Sequence, residues 1–177
     1  ALAPDILMVQ DWDSEGSGIP LPTILQVFDA IEQLNWLKIE VAGAGPKYTD
    51  VLKATDGRLN VAGGWAVRQM IDGLDRGVHA FMPTGMHRVY VEIHRRYDSG
   101  DRNGATRLFE QIQPVLAFSN QALDISIRFF KQLLHAQGVY ATPDVRIEGP
   151  GFDTQQQQQA DTLIAAVIRL EHELSNR

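Results

Sequence analysis

The sequence contains no cysteine, so it can form neither a disulfide nor a thiolate metal site. Its 16 basic side chains are outnumbered by 22 acidic ones, for a formal net charge of -6. Nucleic-acid binding needs clustered cations to neutralise phosphates, so we expect no nucleic-acid partner. No apolar run approaches the roughly 20 residues that span a bilayer. These absences predict a cytoplasmic protein that does not bind membranes.

Sequence motifs of several enzyme classes are also missing. The five histidines lack the paired spacing of helical metal ligands, so we expect no bound metal. There is no Gly-x-Ser-x-Gly elbow for serine hydrolysis. The stretch "AGAG" is too short for a dinucleotide fingerprint.

The 177 residues, 44% of them hydrophobic, suffice for one ordinary domain with a sizeable core. The first residues, "ALAPDILMV", lack a charged leader and an initiator Met, and we interpret them as a chain entered part-way. Hydrophobic periodicity predicts four strands, in 6–9, 36–41, 57–64 and 78–85. It predicts helices between and after them, in 24–34, 46–54, 66–76, 89–97, 104–118, 123–137 and 154–174. Alternating strands and helices predict an α/β fold with a parallel sheet. Four such units make about half of a (β/α)8 TIM barrel or a small open sheet.

The strand "WLKIEV" carries a lysine within an alternating pattern. Leu37, Ile39 and Val41 share one face, which leaves Lys38 and Glu40 on the other. If the strand lies in a barrel, that second face points inward, and a desolvated lysine amine there can attack a carbonyl carbon. If the strand lies at a sheet edge, Lys38 and Glu40 form a weak ion pair in solvent.

The order of four short segments carries a family resemblance. "ILMVQD", "LKIE", "LNVAGG" and "GVHAFMPTG" resemble the fifth to eighth barrel strands of the dihydrodipicolinate synthase and N-acetylneuraminate lyase family of class I aldolases. "YDSGDRNGATRLFEQIQPVL" and "GVYATPDVRIEGP" resemble the helical segments after the barrel. The resemblance implies that residues 1–100 form the second half of the barrel and residues 101–177 a C-terminal helical extension.

The same resemblance implies a function. Lys38 corresponds to the catalytic lysine that forms a Schiff base with pyruvate or a keto-deoxy sugar acid, in a lyase that needs no cofactor. The implied substrate-binding residues are Gln10, Asp11, Glu40, Gly63, Gly64 and Met82. Family members commonly form homotetramers, which makes the helices in 105–137 the expected contact surface of a homo-oligomer.

Two departures from the family favour an alternative function. Gln10, followed by Asp11, stands where the family usually has a tyrosine that relays protons, and an amide cannot do this. The barrel half that carries the carboxylate-binding loop is also absent. A truncated or inactive member that acts as a binding or interaction protein is therefore the alternative.

Three further features have structural as well as functional interpretations. Asp11 and Asp13 follow a predicted strand, where they are either catalytic carboxylates or solvated caps. Gly63 and Gly64 either admit a substrate to the backbone or form a tight turn. His79 either faces the barrel mouth or is a satisfied buried histidine. Lys47 and Lys53 are expected on a helix in solvent.

Overall fold

The computed structural model describes residues 4–64, 67–146, 149 and 151–176. Within them the chain forms two compact units, Ala1–Met82 and Pro83–Arg177. The predicted division of the chain into a barrel half, 1–100, and a helical extension, 101–177, stays a prediction. The start of the helix predicted for 66–76 and part of "RIEGP" lie outside the described residues.

The first unit is a parallel sheet with helices between its strands. Its elements are β1 (Leu7–Asp13), α1 (Leu21–Ala30), β2 (Leu34–Val41), α2 (Ala44–Ala54), β3 (Asn60–Gly63), α3 (Met70–Asp75) and β4 (Ala80–Phe81). The strands lie in the order β1-β2-β3-β4, each parallel to its neighbours. This order confirms the predicted α/β class and the four βα units.

The core of the first unit lies between the sheet and its helices. Alternate residues of β2 enter it, and α1 and α2 cover them with an apolar stripe. The buried side chains include Ile24, Leu37, Ile39, Val41, Ala44, Tyr48, Val51 and Val61. The opposite face of the sheet therefore holds the more polar half of the alternation.

The regular secondary structure of the second unit is helical wherever the structure describes it. Its helices are α4 (His87–Asp98), α5 (Arg102–Gln111), α6 (Gln113–Ser119), α7 (Leu123–Ala136) and α8 (Thr154–Ser175). Aromatic rings support its core, where Phe118 packs edge-on against Phe129 and Phe152 at centroid distances of 5.6 and 5.5 Å. Asp153 caps α8 in a capping box with Gln156, and the glutamine run 155–159 forms the first turns of this helix, in agreement with the helix predicted for 154–174.

Several predicted boundaries were wrong. The strands predicted for 57–64 and 78–85 are shorter, at Asn60–Gly63 and Ala80–Phe81. β1 continues through "QDWD" to Asp13, because β2 supplies a parallel partner along its whole length. α1 ends at Ala30, and Leu34 instead begins β2. The helix predicted for 104–118 is two helices, because Pro114 in the first turn of α6 has no N–H to donate to the carbonyl four residues earlier.

Candidate functional site

Lys38 lies on an interior strand of the sheet, three residues before the end of β2. β1 pairs with one side of β2 and β3 with the other, which contradicts the edge-strand alternative. Leu37, Ile39 and Val41 are 1%, 0% and 2% exposed on the helix side. Strand alternation therefore places Lys38 on the face turned away from α1 and α2.

The register of the sheet places small and polar residues beside Lys38. Gln10 of β1 pairs with Lys38, Lys38 pairs with Ala62 of β3, and Ala62 pairs with Ala80 of β4. Residues paired in register share a face, so these four form one row. The two alanines leave the space beside the lysine free of larger side chains from β3 and β4 at this level.

A carboxylate is bound directly to the lysine. Lys38 Nζ lies 3.1 Å from Glu40 Oε2, and the two side chains are 19% and 17% exposed. Gln10 Nε2 donates a hydrogen bond to the same Oε2 at 2.5 Å. The ion pair of the second interpretation is thus present, but on an interior strand and largely shielded from solvent. Lys38, Glu40 and Gln10, three of the predicted site residues, form one contiguous polar cluster.

Gly64 makes room for this cluster. A Cβ built on Gly64 would lie 2.7 Å from Glu40 Cδ and 2.8 Å from Cγ, closer than real carbon atoms approach. The absence of a side chain therefore lets the Glu40 carboxyl rest against the end of β3.

Gly63, in contrast, belongs to the helix side of the sheet. A Cβ there would lie 2.7 Å from the Phe81 ring and 3.1 Å from the Tyr48 hydroxyl. Its register partners are Ile39 and Phe81. Because ring and hydroxyl occupy this space, Gly63 serves packing, and the structure does not bring it to Lys38.

Asp11 is buried on that same helix side, 1% exposed, with Ile39 as its register partner. It accepts a hydrogen bond from the Ile19 backbone N–H at 2.8 Å and forms an ion pair with Lys47 of α2. Lys47 also donates to the Ser17 carbonyl. The prediction that Lys47 lies in solvent was wrong, since its side chain is 14% exposed. Asp11 therefore fixes the loop after β1 and does not join the Lys38 cluster.

Asp13 organises the next part of the same loop. Its carboxylate accepts hydrogen bonds from the backbone N–H groups of Glu15, Gly16 and Gly18 at 3.1, 2.8 and 3.2 Å. These bonds, with that from Glu15 contributing most, lower the pKa of Asp13. The capping interpretation of Asp13 accounts for every one of these contacts.

Met82 and His79 lie around β4. Met82, 42% exposed, follows β4 and donates its backbone N–H to the Gly63 carbonyl at 3.3 Å. His79 is exposed, which contradicts the buried interpretation. Its Nδ1 nevertheless accepts from the Val61 N–H at 3.1 Å, and its ring lies edge-on to Trp36.

Tyr48 is a buried phenol that the sequence pattern did not single out as chemically relevant. Burial, together with the negative charges of Asp72 and Glu40, raises the pKa of Tyr48 to about 12. The phenol therefore stays neutral at ordinary pH. Its place in the stripe Ala44, Tyr48 and Val51 of α2 explains its position on the helix side of the sheet.

Other site types find no support within residues 4–64, 67–146, 149 and 151–176. No group of three or more His, Asp or Glu side chains there could hold a metal ion. No helix in the described part of the chain has the length and apolar character needed to cross a membrane.

Solved structures share this architecture. The chain is similar to dihydrodipicolinate synthase from Rhodopseudomonas palustris with a TM-score of 0.78 and 18% identity, covering 90% of this chain and 55% of that one. The synthase from Oceanobacillus iheyensis gives 0.75 and 11%, covering 92% and 54%. N-acetylneuraminate lyase from Aliivibrio salmonicida gives 0.61 and 17%, covering 85% and 48%.

No protein-family profile and no curated sequence matches the chain significantly. The chain spans about half the length of the structures it resembles. At these identities the similarity establishes fold, and it confirms at that level the resemblance seen in the sequence. The chain thus has the fold of about half of a dihydrodipicolinate synthase TIM barrel.

Proposed function

We propose that this chain is the lysine-bearing half of a Schiff-base lyase of the aldolase or dehydratase type, acting on pyruvate or a keto-deoxy sugar acid. The observation that carries the proposal is the position of Lys38. It lies near the carboxyl end of an interior parallel strand, on the face away from the helices, where barrel enzymes place catalytic groups. The fold shared with synthases and a lyase of this kind supports the same conclusion.

The chemistry requires a free amine next to the keto carbon. The Lys38 nitrogen attacks that carbon, a C–N bond forms, and the carbonyl oxygen leaves as water. The resulting protonated imine withdraws an electron pair from the adjacent carbon, which permits carbon–carbon cleavage, condensation or water loss. Ala62 and Ala80, in the same row as Lys38, place no side chain larger than a methyl group beside the amine on β3 and β4.

Groups outside this chain bind the substrate's carboxylate in this proposal. Both edge strands, β1 and β4, lack a second neighbour among the described residues, and in the matched structures about half of the chain lies beyond the shared part. We propose that a cytoplasmic homo-oligomer or further polypeptide completes the barrel.

Borohydride trapping tests the proposal. Pyruvate and other 2-keto acids are incubated with the protein, and borohydride reduces any imine to a stable secondary amine. We expect one adduct per chain, abolished by Lys38→Arg because a guanidinium stays protonated and is not a nucleophile. Lys53→Arg is the matched control, since Lys53 is exposed in the last turn of α2. No adduct with any keto acid in a folded protein would favour a binding protein instead.

A further inference from the structure

In the family that the sequence resembles, a tyrosine relays protons to and from the substrate. In this chain the lysine is instead paired with a carboxylate, Glu40. The two side chains project from the same face of β2 because they are two residues apart on one strand. Nζ and Oε2 are 3.1 Å apart, a distance at which a proton passes directly between them. Gln10, which the sequence resemblance aligns with that tyrosine, donates a hydrogen bond to Glu40.

We propose that Glu40 is the general acid–base of imine formation and that Gln10 positions it. This inference rests on the proposed function of Lys38 and assigns Glu40 a catalytic role instead of substrate binding. A glutamine cannot carry the proton, but its amide donor can hold a carboxylate that does. The proton relay therefore lies at Glu40, and not at the position where the family has a tyrosine and this chain has Gln10.

The proton balance closes with this single carboxylate. Glu40 accepts a proton from the Lys38 ammonium, and the neutral amine attacks the keto carbon. Glu40 passes that proton to the former carbonyl oxygen and then accepts a second proton from the nitrogen. It donates this second proton as the oxygen leaves as water, so two protons move from nitrogen to oxygen and Glu40 ends as a carboxylate.

Two structural features suit Glu40 to this role. Gly64 lets the carboxyl lie against the end of β3, which limits its freedom to turn away from Lys38. The side chain is 17% exposed, so the carboxylate remains within reach of a substrate entering from the open face. Tyr48, the nearby phenol, packs on the opposite face of the sheet among core residues.

The test measures the rate of borohydride trapping with pyruvate in Glu40→Gln, which keeps the shape and removes the transferable proton. General acid–base groups contribute roughly 10²–10⁴-fold, so we expect trapping to slow by at least about tenfold while the final adduct stays on Lys38. Added acetate should restore part of the rate by supplying a mobile carboxylate. Glu32→Gln, an exposed position just before β2, is the matched control and should trap at the wild-type rate.

Two results would overturn the inference without touching the proposed function. If Glu40 is only a counter-ion, it holds Lys38 as an ammonium, which has no lone pair for attack. Glu40→Gln will then trap as fast as wild type or faster. If Tyr48 is the relay, Tyr48→Phe will slow trapping and Glu40→Gln will not. Absence of trapping in the wild-type protein would instead refute the role of Lys38 itself.

Discussion

The buried ion pair between Asp11 and Lys47 gives a sharp stability prediction for Lys47→Met. The substitution keeps the length of the side chain and removes its charge, so it leaves the 1% exposed Asp11 carboxylate without its cation. Breaking a buried pair from one side costs about 3–5 kcal/mol. We expect about 3 kcal/mol, the lower end, because Lys47 is 14% exposed and water can partly replace it.

Urea unfolding followed by tryptophan fluorescence measures this loss. All three tryptophans, Trp12, Trp36 and Trp65, belong to the sequence of the first unit, so the signal reports that unit. With an m-value of about 1–3 kcal/mol/M, the midpoint should fall by at least about 1 M.

Two further variants separate the lost charge pairing from lost packing. Asp11→Asn combined with Lys47→Met should recover at least half of the loss, because the amide oxygen can still accept from the Ile19 N–H and no buried charge remains. Lys53→Met, exposed on the same helix, should change stability by less than about 0.5 kcal/mol. A loss below about 1 kcal/mol for Lys47→Met would show that solvent already screens the pair.

Three other outcomes follow from the structure. Gly64→Ala would place a Cβ 2.7 Å from Glu40 Cδ. We expect the free energy of unfolding, measured in urea, to fall by about 1–3 kcal/mol, and keto-acid trapping to slow. Wild-type values for both would contradict the packing described. Hydrogen bonds from Arg95 and then Arg96 lower the pKa of Glu92 from its ordinary 4.5 to about 2. The stabilisation that Glu92 gives is present above pH 4.5 and is lost toward pH 2. In thermal unfolding, Glu92→Gln should therefore lower the stability by about 1 kcal/mol at neutral pH but not at pH 2. Sedimentation should find an assembly larger than a monomer of the 177-residue chain, because the edges β1 and β4 are unpaired among the described residues, whereas a monodisperse folded monomer would refute this.

Much of the sheet was predictable from short-range pattern. The alternation from Trp36 to Val41 predicted both the strand and the face of Lys38, because burying one face of a strand exposes every second residue on the other. The interior position of β2 followed from the resemblance, since the strand's own composition fits an interior or an edge place. Glu40, like Lys38, was predicted as a site residue from the family resemblance.

The parts that failed depend on partners distant in sequence. "QDWD" has the polarity of a loop, and only pairing with β2 makes it a strand. Lys47 has the spacing of an exposed helical residue, and only the packing of α2 brings it to Asp11. Gly63 and Gly64 are adjacent in sequence but serve opposite faces of the sheet, which follows from strand alternation once the end of β3 is fixed.

The most direct test of the central claim is to locate the covalent adduct. The chain has four lysines, Lys38, Lys47, Lys53 and Lys131, so tandem mass spectrometry of a digest after borohydride reduction with pyruvate can assign the modified one without ambiguity. We predict a single secondary amine on Lys38, with the other three lysines unmodified. An adduct spread over the exposed lysines, or none on Lys38 in the folded protein, would contradict it.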